Sequence, residues 1–333
     1  MVTTVNEAFS LFLRDYVNLD PGETQQARNS RNWLLFQIHS FPDKDTSFPR
    51  LYSEKAISFG SFARHTKKRP LDDVDVMLAL NAEGSVYQDF TNRIEIYVPE
   101  LACKLRTLCF DGTNKLSSRK VINKFIDLLK QVPQYEKAEI KCNKEAVTLN
   151  LKSYPWTFDL VPCFFTQEDT LNRTYYLIPD GHGYWQKTDP RIDRKRVHDI
   201  NQFHNGNVLN IVRLMKYWNR RPTMPSMSSY LLENMILEFY TIRYKKASEY
   251  VDLEVPEVLK YIQKSIFFPI NDPKGIQGNI NQLNYEEQEK ISKRAYSDYL
   301  KSLEARAFEN EGNHKLSIAK WRQIFGSNFP EYV

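Results

Sequence analysis

Asp73 and Asp75 stand at alternate positions in the run Leu71-Asp72-Asp73-Val74-Asp75-Val76-Met77-Leu78. In a strand successive side chains point to opposite faces, so Asp73 and Asp75 share one face while Val74, Val76 and Leu78 share the other. Two adjacent carboxylates repel each other, and the usual relief is a bound divalent cation. Mg²⁺ takes hard oxygen ligands, often one or two carboxylates completed by substrate phosphates, so the natural guest is a metal nucleotide. Asp72 falls on the other face and reads as the residue where the strand begins.

Upstream, the short apolar run Ile57-Ser58-Phe59 ends in Gly60-Ser61. Glycine lets backbone approach a ligand closely, and the start of a following helix offers backbone N–H groups to phosphate oxygens. A third carboxylate lies in Thr157-Phe158-Asp159-Leu160-Val161-Pro162, where Asp159 points one way and Phe158 and Leu160 the other. An aspartate in an apolar strand needs a partner, either an arginine or a cation shared with other carboxylates. Further on, Val208, Ile211, Val212, Met215 and Trp218 form a helical stripe, with Lys216 beside it. On its own Lys216 reads as a surface lysine whose stem lies along that stripe. Ser228-Ser229-Tyr230 opens the next helix, where a serine is by default an N-cap and a tyrosine is often core.

Several classes are excluded by composition. The 333 residues are enough for two lobes sharing a cleft, and the net charge of +5 is spread along the chain rather than gathered in a basic patch. No apolar run reaches the roughly 18 residues of a membrane span, and the N-terminus is unlike a signal peptide. Cys103, Cys109, Cys142 and Cys163 lack paired zinc spacing and read as thiols of a reducing cytoplasm.

The elements that must position these residues follow from periodicity. A helix is predicted over residues 5–18. A second begins at Asp20-Pro21 and runs to His39, with Trp33, Leu34, Phe36 and Ile38 on or near its buried side. Strands are predicted at Ala56–Phe59, over 71–78, at Ile94–Val98 and at Thr157–Pro162, with a hairpin turning at Lys144-Glu145. Ser118 is read as the N-cap of a helix that covers one face of the sheet, and Leu101–Cys109 as helical. Residues 86–116 are the least legible, and Ile178 to Pro190 reads as a turn-rich connection in which Trp185 is either core or cleft. A long helix over 283–310 is given the stripe Tyr296, Leu300, Leu303 and Ala307, and a last helix, Lys315–Phe325, buries Ile318, Trp321 and Ile324 before stopping at Gly326.

The run Gly60-Ser61-Phe62-Ala63-Arg64-His65-Thr66-Lys67-Lys68-Arg69-Pro70-Leu71-Asp72-Asp73-Val74-Asp75 resembles the signature of DNA-polymerase-β-like nucleotidyltransferases. Within them it is most similar to the bacterial cGAS/DncV-like nucleotidyltransferases (CD-NTases) of CBASS anti-phage systems. Asp159-Leu160-Val161-Pro162, Leu214-Met215-Lys216-Tyr217, Ser228-Ser229-Tyr230 and the ending Trp321 to Pro330 extend the likeness from residue 57 to 330. The resemblance implies an α+β, two-lobed fold: a mixed sheet carrying the aspartates in a catalytic core over 1–198, and a helical lobe over 199–333 that closes the nucleotide cleft. The N-terminal helices would brace both lobes.

It further implies that Asp73, Asp75 and Asp159 hold two Mg²⁺ ions, with Mn²⁺ able to substitute. Gly60, Ser61, Lys216 and Ser229 would position the triphosphate, and Tyr230 would stack on a base. The implied activity joins nucleoside triphosphates, ATP among them, into a cyclic oligonucleotide with release of pyrophosphate, and a separate effector protein binds the product. No Cys/His insertion of the kind animal cyclic GMP–AMP synthase uses to hold DNA is present, so neither DNA nor RNA is expected to be required. The alternatives are nucleotide addition to an RNA 3′ end or a protein, and a nucleotide-binding module without catalysis. Three carboxylates speak against the second, and the lack of a recognisable RNA-binding appendage speaks against the first.

Overall fold

The computed structural model describes every residue except 223, 224 and 226. In chain order the helices are α1 (Val5–Phe12), α2 (Pro21–His39), α3 (Phe41–Lys44), α4 (Gly60–Ala63), α5 (Cys103–Arg106), α6 (Ser118–Leu129), α7 (Pro190–Phe203), α8 (Val208–Asn219), α9 (Ser229–Ile242), α10 (Val251–Ser265), α11 (Tyr285–Asn310) and α12 (His314–Phe325). The strands are β1 (Ile57–Phe59), β2 (Asp73–Leu80), β3 (Val86–Phe90), β4 (Arg93–Tyr97), β5 (Glu139–Asn143), β6 (Ala146–Asn150), β7 (Thr157–Phe165), β8 (Tyr176–Pro179) and β9 (Trp185–Thr188). The chain divides into a sheet unit, Pro21–Ala63 with Leu71–Arg191, and a helical unit, Met1–Asp20 with Arg64–Pro70 and Ile192–Val333.

Among the described residues of the sheet unit, nine strands form one mixed sheet in the order β1-β2-β7-β8-β9-β4-β3, with the β5–β6 hairpin joined to β7 through β6. The β2–β7 pair is parallel and the other pairs are antiparallel. Val74, Val76 and Leu78 of β2 are buried, as the alternation predicts, together with Phe158 and Leu160 of β7. Along the face that begins with Asp73 and Asp75, Met77 and Ala79 join Val161, Cys163, Ala146 and Tyr176 in a dry cluster. The carboxylates therefore sit at one end of a face that is otherwise closed by apolar contact.

Helix α6 packs against β5, β6, β7 and β8, through an apolar side that buries Val121, Ile122, Phe125, Leu128 and Leu129. Its N-cap is Ser117 rather than the predicted Ser118: the Ser117 hydroxyl accepts from Lys120 N, and Ser118 is buried inside the first turn. The supposed turn-rich connection after Ile178 contains the β8–β9 hairpin. Its two strands are only four residues each, and Asp180 accepts from the backbone of His182 and Tyr184 across the turn, so turn residues dominate the sequence signal. Trp185 is core: it is fully buried and its indole N–H donates to Leu116 O at 3.0 Å. In α2 the buried side is Ala27, Leu34 and Ile38, and Phe36 is 70% exposed, which corrects the wider stripe expected there.

The helical unit buries the α8 stripe as predicted. Phe9 and Phe12 of α1 pack edge-on against Trp321 and Phe329 at 4.9–5.1 Å between ring centroids. The stripe predicted for α11 is overturned. Tyr296, Leu300 and Leu303 are 50%, 41% and 42% exposed, while Ile291, Ala295, Asp298, Ser302 and Ala305 face inward. Small side chains on that face let α10 and α12 approach closely. The buried Asp298 is satisfied by Trp218 Nε1 at 2.8 Å, Arg294 Nε at 2.7 Å and Lys301 Nζ at 3.0 Å. Hydrophobicity alone misplaces a helix whose inner face is small and polar.

Candidate active site

Parallel pairing of β2 with β7 sets Asp75 directly beside Asp159 and Asp73 beside Thr157. Asp75 and Asp159 are lateral neighbours on one sheet face, with Asp73 two residues along the same edge. All three are half-buried. Burial raises the Asp159 pKa above the ordinary carboxylate range, and the nearby Asp73 adds to that rise. The Thr148 hydroxyl works against it, donating to Asp159 Oδ1 at 2.7 Å from the paired position on β6. Asp72 is exposed at the foot of β2, where its carbonyl accepts from Thr157 N at 3.0 Å, so it marks the strand's beginning as predicted.

β1 pairs with β2 through Phe59 and Asp75, and the chain then turns at Gly60 with φ +71°. A Cβ built on Gly60 meets Asp75 Oδ2 at 1.8 Å and Asp75 Cγ at 2.6 Å. Only glycine brings this backbone against the carboxylate. Ser61 follows within α4, which is a single turn of four residues. The sheet unit therefore gathers Gly60, Ser61, Asp73, Asp75 and Asp159 along one edge.

Lys216, Ser229 and Tyr230 lie in the helical unit. Lys216 is buried, not a surface lysine, and its ammonium contacts Glu233 Oε2, Thr66 O at 3.1 Å and Thr66 Oγ1 at 3.3 Å. Glu233 is 1% exposed and also takes Arg64 Nε at 2.8 Å and the Thr66 hydroxyl at 2.8 Å. Burial would push Glu233 up, but Lys216 and Arg64 hold its carboxyl well below the usual range, so it stays ionised. Ser228, not Ser229, caps α9 by accepting from Leu231 N at 3.1 Å, and Ser229 is the first residue of that helix. The Tyr230 phenol lies 2.8 Å from Asp193 Oδ1 and 3.2 Å from Asp272 Oδ1, and it accepts from Lys274 Nζ. Burial, reinforced by Asp193, drives that phenol far above its ordinary pKa, so it remains a donor at every working pH.

Sequence reasoning missed Thr148, Arg64 as a structural partner, Glu233, Asp193, Asp272 and Lys274. Thr148 was within reach, because the predicted hairpin places it across from Asp159 once β6 is paired with β7. Apart from the Asp272–Lys274 ion pair, the other contacts join segments 17 to 169 residues apart and leave no local trace.

Parallel acidic strands, a glycine turn against one aspartate and a mixed sheet with C-terminal helices make the polymerase-β-like nucleotidyltransferase fold. A probable cyclic nucleotide synthase of Bacillus cereus strain VD146 is 43% identical over 334 residues, covering 100% of this chain and 99% of that protein. The chain belongs to the cGAS/DncV-like nucleotidyltransferases, the family of cyclic nucleotide synthases. A cyclic AMP-AMP-AMP synthase of an Acinetobacter species (strain ATCC 27244 / 9458) is 25% identical over 206 residues, 58% of this chain and 55% of its own. Among solved structures, Escherichia coli MS115-1 CdnC with ATP matches with a TM-score of 0.69 at 16% identity over 98% of both chains. Vibrio cholerae DncV cyclic AMP-GMP synthase, a prokaryotic cGAS homolog, matches with a TM-score of 0.59 at 12% identity over 84% of this chain and 70% of that one. No protein-family profile matches the chain.

The Thr148–Asp159 bond gives a pH test. A carboxylate with a raised folded pKa costs stability when ionised; that cost is absent below the ordinary carboxylate range and grows as pH rises through the raised value. Thr148→Val removes the bond that opposes the rise, and is expected to extend that loss of stability to higher pH in the metal-free protein. Thermal melts of the two proteins in EDTA across the carboxylate pH range check this, and superimposable pH dependences would refute it.

Proposed function

We propose that this nucleotidyltransferase joins nucleoside triphosphates, ATP among them, into a cyclic oligonucleotide second messenger for anti-phage defence in the cytoplasm. The observation that carries the reading is the lateral pairing of Asp75 with Asp159 beside Asp73, under a glycine turn with no room for a side chain.

Among the described residues no three His, Cys, Asp or Glu side chains are grouped so as to hold a metal ion by themselves. Mg²⁺ does not require such a cage, since it is bound through one or two carboxylates plus substrate phosphates and water. The all-oxygen donors on one edge fit it. Asp73, Asp75 and Asp159 would hold two Mg²⁺ ions, or Mn²⁺, which when bound neutralise triphosphate charge and lower the pKa of the attacking ribose hydroxyl. Asp159 faces that hydroxyl; Thr148 fixes its Oδ1, and Oδ2 has no hydrogen bond among the described residues. The backbone at Gly60-Ser61 takes phosphate oxygens where only glycine permits the approach. In the helical unit Ser229, at the start of a fourteen-residue helix, meets phosphate, Tyr230 meets a base and Lys216 anchors the surrounding network.

Among the described residues no helix is long and apolar enough to cross a membrane. The product is read by a separate effector protein. A further protein partner is also part of this proposal, supported by the solved complex of Escherichia coli CdnC with HORMA-deltaN, which matches with a TM-score of 0.70 at 15% identity over 98% of both chains.

The test is incubation of nuclease-treated protein with Mg²⁺ and labelled ATP, GTP, CTP and UTP at about 150 mM salt, near physiological strength, followed by phosphatase. A cyclic product has no terminal phosphate and keeps its label. Label that stays phosphatase-sensitive, or that ends on RNA or protein, would move the assignment to a tailing or protein-modifying enzyme. The same reaction is expected to run equally well with and without added duplex DNA or RNA, because the charge is small and dispersed. Product formed only with a duplex would refute that expectation.

A further inference from the structure

Lys216 is the cation that family resemblance nominates for phosphate, yet its geometry leaves it little to offer. A lysine ammonium has three N–H donors, and Lys216 meets three acceptors inside the protein: Thr66 O, Thr66 Oγ1 and Glu233 Oε2. Its side chain is 5% exposed. A direct phosphate contact would require breaking a buried ion pair, which is strongly unfavourable when one partner stays behind.

Arg64 stands on the other side of the same carboxylate. It spends only Nε on Glu233 Oε1, at 2.8 Å, and its Nη1 and Nη2 make no hydrogen bond among the described residues. The guanidinium carbon lies 5.9 Å from the Tyr230 ring centroid. A guanidinium held at Nε keeps its planar fork fixed, and that fork matches two phosphate oxygens in a way a point charge cannot. We infer that Arg64 is the direct phosphate ligand of the helical unit, oriented by Glu233, while Lys216 and Thr66 fix Glu233.

This inference rests on the nucleotidyltransferase reading and adds to it. Arg64 lies three residues beyond Ser61 in the chain, directly after the short α4 turn. Its place beside Tyr230 puts one phosphate contact next to the residue proposed for base recognition. Glu233 is a positioning residue here, since it acts through Arg64 and not on the substrate.

Binding of inorganic tripolyphosphate is measured by calorimetry in EDTA, so that the carboxylate edge contributes nothing through a metal. Arg64→Ala is expected to weaken binding at least tenfold. Arg64→Lys keeps a positive charge near Glu233 but lacks the fork, and is expected to lose at least threefold with an unchanged melting temperature. In turnover assays the same variants raise KM for the nucleotide more than they lower kcat. Wild-type tripolyphosphate affinity in both folded Arg64 variants overturns the inference, as does the absence of tripolyphosphate binding by the wild-type protein. The nucleotidyltransferase reading is judged separately, by whether the wild-type protein forms phosphatase-resistant product.

Discussion

Replacing Asp73 and Asp75 together by asparagine is expected to abolish product formation, by at least about a thousandfold, which corresponds to about 4 kcal/mol of transition-state stabilisation. The two side chains share a face of β2 that Asp159, paired with Asp75, continues on β7. Asparagine keeps shape and some hydrogen bonding but removes the charge that balances a cation on a triphosphate. Stability should move the other way. Asp73 raises the pKa of Asp159 by like-charge repulsion, so neutralising it relieves an unfavourable interaction in the metal-free protein. Product assays and thermal melts in EDTA check the pair of expectations. A double variant that is fully folded and retains more than about a hundredth of wild-type activity would end the reading of these carboxylates as catalytic.

How much of this was legible in the sequence depends on how local each interaction is. Asp73, Asp75 and their strand were visible because polar–apolar alternation is written into Asp73-Val74-Asp75-Val76 at its start. The β5–β6 hairpin was visible for the same reason, and Lys144 adopts the positive φ its turn needs. β3 escaped because four of its five residues are exposed, so its hydrophobic pattern is faint. β8 and β9 escaped because their turn chemistry outweighs two short strands. On α11 the large apolar residues Tyr296, Leu300 and Leu303 are exposed, and the inner face is read only from what α10 and α12 place against it.

Site residues divide the same way. Gly60 was marked by the Gly-Ser pair, yet nothing in the sequence states that its missing side chain is the space Asp75 occupies. The role of Lys216 was open between surface and phosphate, and the structure adds a third possibility, a buried pair with Glu233. Glu233 itself stands one helical turn after Ser229, where a polar residue on α9 looks like solvent-facing punctuation. Only the approach of Arg64, Thr66 and Lys216 from distant segments turns it into a keystone.

Gly60→Ala is the second large effect, because its stability cost and its functional cost separate. Gly60 has φ +71°, where an L-residue is disfavoured by roughly 1–2 kcal/mol. That cost is shared by any glycine of similar conformation, and Gly112, at φ +70° with nothing within 4 Å of a built Cβ, supplies the comparison in the same unit. At Gly60 the new methyl also falls 1.8 Å from Asp75 Oδ2, a separation no pair of atoms tolerates. Asp75 Cγ at 2.6 Å and Cβ at 3.2 Å crowd the methyl as well, so relief requires both a turn of the Asp75 carboxylate and a small shift of its Cβ. Folding survives, but the carboxylate leaves the edge it shares with Asp73 and Asp159. Gly112→Ala is therefore expected to lower the melting temperature by the conformational cost alone, and Gly60→Ala by that cost plus the cost of displacing Asp75. Only Gly60→Ala should cost activity, by at least about a hundredfold in kcat, or about 3 kcal/mol. Matched melts and steady-state kinetics of both variants decide the matter, and equal activity in the two would mean that the contact between Gly60 and Asp75 has no part in the chemistry.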